Sequence, residues 1–180
     1  MRTGLIVAIV AVGLASIVFL PRDRSRLLPV HVPTASMEPA IMAGETVMID
    51  TSAYDTVSPE IGDVVFFAWP VHPEIVLVKR CVGRPGDTVA VRGGTVFCNG
   101  AAVNEGMPAR TPVEPVRSEV EATGSYGPYV VPQGSFFVAG DNVGSSRDSR
   151  HWGCVPAGLI LGRVSRIDRS PYRARRGLPL

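Results

Sequence analysis

The chain has 180 residues, a length that suits one domain of ordinary size. Hydrophobic residues make up 46% of it and charged residues only 19%, which excludes a disordered chain. The formal net charge is +2 with acidic and basic residues intermixed, so the basic footprint of a nucleic-acid-binding protein is missing. Valine is abundant, with 19 glycines and 16 prolines, and this composition predicts a mostly β body with many turns.

The N-terminal segment predicts a membrane anchor. Residues 4–20 carry no charged side chain, and a run of this length is at the short end of what crosses a bilayer as a helix. It ends in Phe19-Leu20-Pro21 rather than in small residues, which disfavours a cleaved secretory signal. We therefore expect a retained signal-anchor over residues 1–21 and a folded domain over residues 22–180. Arginines flank the anchor on both sides, so charge alone does not set its orientation.

The rest of the chain predicts short strands separated by turns. Gly93-Gly94 and Asn99-Gly100 are each typical of a tight hairpin turn. Residues 104–128 lack periodicity and predict an irregular surface excursion, and residues 169–176 form a basic tail. The predicted strands cover residues 46–49, 63–67, 75–82, 88–92, 95–98, 134–139 and 159–167.

Lys79 is the only lysine among the 18 basic residues. Alternation along the strand predicted at 75–82 places it on one face with Ile75, Leu77 and Cys81. An edge lysine on a solvated face is the ordinary alternative, but every other basic position of this chain is arginine. A position that keeps lysine suggests a group that must lose its proton, which arginine cannot do. Burial would have to lower its pKa by roughly 3 units, which costs on the order of 4 kcal/mol.

Ser36 is the candidate nucleophile, because a neutral lysine activates a neighbouring hydroxyl. It lies between Pro33 and Pro39, where a serine is often only a cap or a turn residue. The hydroxyl of Thr34, two residues earlier, can share an oxyanion site with the backbone N–H of Ser36. The polar segment 140–150 is either a self-bonded loop or a loop that orients the lysine amine by hydrogen bonds.

Three segments together resemble the sequence boxes of type I signal peptidases. Their order and spacing agree with that family, and the resemblance covers roughly residues 30 to 167. Two departures, Glu38 in a variable position and Gly144-Ser145 where many members have charged residues, touch no catalytic role. The matching segments are Ser36-Met37-Glu38-Pro39 (S-M-x-P), Val78-Lys79-Arg80 with residues 82–87 (K-R-x-V-G-x-P-G-D), and Gly140-Asp141-Asn142 with Ser146, Asp148, Ser149 and Arg150 (G-D-N…S-x-D-S-R).

The resemblance implies a mostly β, signal-peptidase-like fold with a short variable second lobe at about residues 92–130, preceded by one N-terminal transmembrane helix. It implies a serine endopeptidase that removes signal peptides by a Ser–Lys dyad, without a metal or another cofactor. By matching motif, Ser36 would be the nucleophile and Lys79 the general base. The remaining expected roles are an oxyanion donor (Thr34, with the Ser36 backbone), a residue that positions the amine (Ser146), a supporting pair (Asp148 and Arg150) and a substrate-pocket lining residue beside the nucleophile (Met37).

The expected partners are signal-peptide-bearing pre-proteins and the lipid bilayer, with no nucleic acid, and the expected state is a monomer. Because such substrates emerge on the far side of the membrane, the resemblance places residues 22–180 outside the cytoplasm, held at the inner or plasma membrane by a single span. The motifs do not separate a general enzyme from a specialised relative that processes a dedicated partner, such as a pilin or a secretion-system subunit.

Other interpretations have less support. A Ser-His-Asp triad would need His31, His72 or His151, but the sequence places His72 in a turn and His151 on a loop as a structural residue. The histidines and cysteines include no pair with metal-ligand spacing. A self-cleaving Ser–Lys repressor would need a DNA-binding domain where residues 1–30 supply an apolar segment. An inactive tethered interaction module is disfavoured by the intact set of candidate catalytic residues. The three cysteines, which allow three alternative disulfide pairings, are Cys81, Cys98 and Cys154.

Overall fold

The structure is a computed structural model that describes residues 8–9, 26–103 and 125–180. In this part of the chain it is built almost entirely of strands, joined by short turns. Its one α-helix is α1 (Ser149–Trp152), and single 3₁₀ turns cover Ala35–Met37, Val143–Ser145, Ala157–Leu159 and Arg173–Arg175. The strands are β1 (Ala8–Ile9), β2 (Leu27–Val32), β3 (Glu45–Asp50), β4 (Val64–Trp69), β5 (His72–Gly83), β6 (Thr88–Arg92), β7 (Thr95–Cys98), β8 (Ala101–Ala102), β9 (Ser125–Val130), β10 (Ser135–Ala139), β11 (Val155–Pro156) and β12 (Ile160–Arg169).

The strands form two sheets. The larger has the order β1-β2-β3-β12-β4-β5-β10-β11, and the smaller has the order β8-β7-β6-β9. Every pairing is antiparallel except that of β1 with β2. The prediction of a mostly β fold is therefore confirmed for the described residues. The closing strand β12 lies between β3 and β4, so the end of the chain completes the middle of the larger sheet.

The central strand β4 is apolar without alternation because both of its faces are buried. Val64 and Phe66 pack in one hydrophobic cluster with Val76 and Val78 of β5. Their neighbours on the other face, including Val65, pack in a second cluster that also contains Cys81 and Leu77. This division confirms the alternation predicted for β5 and leaves Lys79 on a strand that is buried on both sides.

The predicted hairpin turns are present. Gly93 and Gly94 both have positive φ and join β6 to β7, and Asn99-Gly100, also with positive φ at both positions, joins β7 to β8. These are the backbone conformations that primed two-residue turns require. The three cysteines at positions 81, 98 and 154 are free thiols in the structure.

Two predicted boundaries are wrong. The segment expected to be irregular up to residue 128 contains β9 from Ser125, which pairs with β6 along its length. Two residues of β9, Gly127 and Pro128, lie opposite one residue of β6, and this forms a β-bulge. Glycine and proline are not typical of a strand interior, so the sequence pattern did not predict β9. His72, expected in a turn, is the first residue of β5.

Parts of two predictions lie outside the described residues. The predicted membrane segment is one, apart from Ala8–Ile9, which pairs in parallel with residues of β2. Residues 104–124 of the predicted second lobe are the other. Within residues 8–9, 26–103 and 125–180, no helix is long and apolar enough to span a membrane.

Candidate active site

Ser36 lies in the short 3₁₀ turn Ala35–Met37 between β2 and β3. The side chain of Met37 is fully buried in the same cluster as β2 and β3, so the turn is fastened to the core immediately after the serine. From the opposite side, the backbone N–H of Asn142 donates to the Ser36 carbonyl at 3.1 Å, and its side-chain amide donates to the Ala35 carbonyl at 3.1 Å. The turn is therefore held by the packing of Met37 and by the two hydrogen bonds from Asn142.

Lys79 reaches this serine from the middle of β5. Its Nζ lies 2.5 Å from Ser36 Oγ, although the two residues are 43 positions apart in the chain. The side chain is 4% exposed. As an ammonium Lys79 donates in this contact, whereas a neutral amine would accept the hydroxyl proton through its lone pair. The geometry therefore places the hydroxyl of the candidate nucleophile and the amine of the candidate base within direct proton-transfer distance.

The pKa of Lys79 is lowered from 10.5 to about 8, chiefly by burial of the amine; the charges of Asp148 and Asp141 oppose this shift, and the charge of Arg150 adds to it. A shift of this size corresponds to about 3 kcal/mol of destabilisation of the charged form. Roughly a tenth of the amine is then neutral at pH 7, far more than for a solvated lysine. The pKa lies close to the range in which a general base is most effective.

Asp148 organises the loop that follows β10. Its carboxylate is fully buried and accepts hydrogen bonds from the Gly140 backbone at 3.0 Å and from the Ser146 hydroxyl at 2.8 Å. Arg150 donates to both of its oxygens, at 2.7 and 2.8 Å. Asp148 also caps α1, where the imidazole Nδ1 of His151 accepts from the Asp148 backbone. The expected Asp148–Arg150 pair is thus present as a bidentate ion pair with almost no exposure to solvent.

Gly140 occurs where no side chain fits. A Cβ at this position would collide with the Ser146 hydroxyl and with the Ser36 carbonyl. The glycine therefore lets the polar loop approach the nucleophile turn, and it brings Ser146 close to Ser36. The Ser146 hydroxyl is oriented by the carboxylate of Asp148. The role of Ser146 in positioning the Lys79 amine stays a prediction.

A second ion pair joins β5 to the same loop. Arg80 donates to both oxygens of Asp141, at 2.8 and 2.6 Å, and to the Gly62 carbonyl at 2.6 Å. Because Arg80 follows Lys79 directly, this contact fixes the strand beside the candidate base. The residues that sequence reasoning missed here are Arg80, Asp141 and Asn142. They belong to the boxes already noted, so their motif positions were the signal, but only the structure shows what they contact.

Thr34 and Met37 stand on either side of Ser36. The Thr34 hydroxyl lies 3.3 Å from Ser36 Oγ, and its role as an oxyanion donor stays a prediction. The side chain of Met37 has no exposed surface and packs in the hydrophobic core. Its assignment to a substrate pocket remains a prediction.

Two of the three histidines have other partners in the structure. His72 pairs with Glu74 at an exposed end of β5, and the imidazole Nδ1 of His151 accepts from the Asp148 backbone at the start of α1. The basic side chain recorded in contact with Ser36 Oγ is that of Lys79.

Known proteins are similar to this chain over most of its length. A family described as signal peptidase, peptidase S26, matches residues 2–167. The probable signal peptidase I-2 of Synechocystis sp. is 32% identical over 170 residues, which cover 91% of this chain and 69% of that protein. The chloroplastic thylakoidal processing peptidase 1 of Arabidopsis thaliana is 36% identical over 145 residues, which cover 75% of this chain and 40% of that protein.

Among solved structures, a signal peptidase I from Enterococcus faecalis is 27% identical and superposes with a TM-score of 0.46, covering 60% of this chain and 97% of that one. The family match extends over both the turn that carries Ser36 and the strand that carries Lys79. This chain therefore belongs to the signal peptidase family and is a serine peptidase.

Proposed function

We propose that this protein is a membrane-anchored endopeptidase that removes N-terminal signal peptides from exported pre-proteins, using Ser36 and Lys79 as a catalytic dyad. The observation that carries the proposal is the 2.5 Å contact between Lys79 Nζ and Ser36 Oγ at a buried amine. Signal peptidases are the relatives of this chain. The charge-free run at residues 4–20 supports the anchor, and the substrate class supports a peptidase domain outside the cytoplasm.

The reaction begins with the neutral amine of Lys79. The amine takes the hydroxyl proton as Ser36 Oγ attacks the scissile carbonyl carbon, and the carbonyl oxygen becomes negatively charged. The backbone N–H of Ser36 and the hydroxyl of Thr34 donate to that oxyanion. The Lys79 ammonium then returns its proton to the departing amine of the mature protein. A water molecule, deprotonated by the same lysine, then attacks the acyl carbon; Ser36 Oγ leaves and takes the proton back from the Lys79 ammonium, which releases the signal peptide and restores the free enzyme.

The polar loop supports these steps without taking part in bond formation. We assign to Ser146 the orientation of the Lys79 amine; its hydroxyl donates to Asp148, and Arg150 holds the Asp148 carboxylate. These groups are buried, so water does not compete for their hydrogen bonds.

The rate should depend on pH through the lysine. Because only the neutral amine acts as a base, kcat/KM should fall tenfold per pH unit on the acidic side, with an apparent pKa of about 8 for the free enzyme. The measurement is initial cleavage rate of a pre-protein from pH 5 to 10. A rate that rises only near pH 10 would mean that Lys79 behaves as a solvated lysine.

Substrate choice tests the proposed function directly. A peptide bound in extended form directs the side chains at positions −1 and −3 to one surface, so shallow apolar pockets would select small residues at both. In a pre-protein series with Ala, Val, Leu and Phe, cleavage should fall steeply with size at −1 and less steeply at −3. The same series at position −2 is the internal control and should change little. Equal cleavage of the Phe variants at −1 would contradict this assignment.

A further inference from the structure

The end of the chain folds back onto the turn that follows the nucleophile. After β12, the backbone reverses so that Gly177 N donates to the Ile167 carbonyl and Ile167 N donates to the Leu178 carbonyl. This places Arg175 beside residues 39–45, which are 130 or more positions earlier in the chain. The family match ends at residue 167, before this segment begins. The contact is thus additional to the sequence boxes that define the family.

Arg175 closes the turn by binding its outward carbonyls. Its Nη2 donates to the carbonyl of Ala40 at 2.7 Å and to that of Pro39 at 3.1 Å. The same turn is closed internally by the hydrogen bond from Ile41 N to the Met37 carbonyl at 2.9 Å. Arg175 therefore restrains the turn three and four residues after Ser36, at carbonyls other than the two that Asn142 binds.

The Nε atom of the Arg175 guanidinium is held by the buried carboxylate of Glu45. Arg175 Nε donates to Glu45 at 2.8 Å, and the Ser170 hydroxyl donates to the same oxygen at 2.7 Å. The other carboxylate oxygen accepts from Met42 N at 2.8 Å, so Glu45 also binds the turn directly. Burial raises the pKa of Glu45, but the hydrogen bonds of Arg175 and Ser170 outweigh it and hold the pKa below 4.5. At neutral pH this is a charged pair whose carboxylate is fully buried.

We propose that Arg175 is a positioning residue for the serine peptidase reaction: it holds the turn at residues 39–45 and thereby keeps Ser36 aligned with Lys79. Its planar guanidinium is suited to this task, because it donates at once to a carboxylate and to two carbonyls in a fixed geometry. An ammonium would keep the charge beside Glu45 without that arrangement. The inference rests on the proposed dyad for its kinetic readout, whereas the state of the turn is measurable without any substrate.

The kinetic experiment compares Arg175→Gln, Arg175→Lys and the wild-type chain in pre-protein cleavage. For Arg175→Gln we expect kcat to fall about tenfold with KM within about twofold, since a small displacement of a reacting group lowers the rate more than binding. The acidic limb of the pH profile of kcat/KM should keep its apparent pKa of about 8, because Arg175 contacts the turn and not the Lys79 amine. Arg175→Lys should recover thermal stability more completely than kcat.

The matched control is Arg169→Gln, which removes an arginine from the same end of the chain. The side chain of Arg169 is 85% exposed and pairs only with its neighbour Asp168 in the ion pairs of the described residues, so kcat should stay within about twofold of wild type. An Arg175→Gln variant with wild-type kcat would overturn the proposal. A fall in kcat together with a shift of the apparent pKa of the acidic limb toward 10.5 would also overturn the proposal, because that shift would mean that water enters around Lys79.

Hydrogen exchange separates this inference from the proposed function. The amides of Met42 and Ala43 donate to side chains of Glu45 and Glu38, so their exchange reports on the turn. In Arg175→Gln these amides should exchange at least about tenfold faster, while those of β5 stay unchanged. Unchanged exchange would overturn the inference even if the enzyme cleaves pre-proteins. If the wild-type chain cleaves none, the proposed function fails and exchange still decides the role of Arg175. If Arg175→Gln does not fold, exchange and kcat of Arg175→Lys decide it.

Discussion

Lys79→Met is expected to abolish peptidase activity and, at neutral pH, to stabilise the fold. Methionine has a similar length but no basic nitrogen, so the proton of Ser36 has no acceptor and kcat should fall roughly 10⁴–10⁶-fold, as for other dyad and triad residues. Ser36→Ala should have the same effect on activity. Lys79→Arg should also be inactive, because arginine keeps the charge but does not give up its proton.

The stabilisation follows from the sign of the pKa shift. The pKa of Lys79 falls from 10.5 to about 8 on folding because the amine is buried. Below pH 8 the amine is protonated in both states, and the folded protein bears the full cost of burying the charge, about 3 kcal/mol. Lys79→Met removes this cost, and the gain should shrink between pH 8 and 10.5. Chemical denaturation at pH 6.5 and pH 10 measures it.

A control for the dyad variants keeps the chemistry of the site intact. Arg92→Lys exchanges the same two residue types at an exposed position at the end of β6, and it should leave both activity and stability unchanged. Substantial turnover by Lys79→Arg, confirmed on protein free of wild type, would refute the general-base role of the lysine.

Asp148→Ala is expected to cost about 3–5 kcal/mol in the free energy of unfolding, since it leaves the charge of Arg150 without its partner in a buried place. The side chain of Arg150 is only 7% exposed, and that of Asp148 is not exposed at all. The variant also removes acceptors of the Gly140 amide and the Ser146 hydroxyl. Activity should decline as well, because Ser146 loses the carboxylate that orients it. Urea unfolding at pH 7 measures the loss of stability.

The matched control is Asp168→Ala, which removes a carboxylate from an exposed pair with Arg169 and should cost no more than about 0.5 kcal/mol. Burial raises the pKa of Asp148, but hydrogen bonds and the charge of Arg150 outweigh it and hold the pKa below 3.8. Its stabilisation is therefore present at neutral pH and lost as the pH falls through that lowered value. A loss below about 1 kcal/mol at pH 7 would contradict a structural role for the buried pair.

Local chemistry made several elements predictable. Gly93-Gly94 and Asn99-Gly100 specify their turns because the required positive φ angles suit few other residues. The apolar runs of β4 and β5 specify strands because both faces of these strands are buried. In contrast, β9 has no alternation to detect. It exists because a bulge at Gly127-Pro128 lets Tyr126 and Tyr129 pack beside Phe137.

The candidate site also has some residues that the sequence predicts and others that only the structure identifies. Lys79 stands out in the sequence as the single lysine in an apolar strand, and Ser36 stands out by its box, because such chemistry restricts residue type at single positions. The residues that contact them in the folded protein do not stand out in the sequence. The hydrogen bonds from Asn142 to Ala35 and from Arg175 to Glu45 join residues more than a hundred positions apart. No local sequence pattern predicts these contacts. The sequence by itself determined the residues to which we assign the reaction. Only the tertiary structure decided how they are held, because sheet order and chain reversal, rather than neighbouring residues, bring those partners within hydrogen-bond distance.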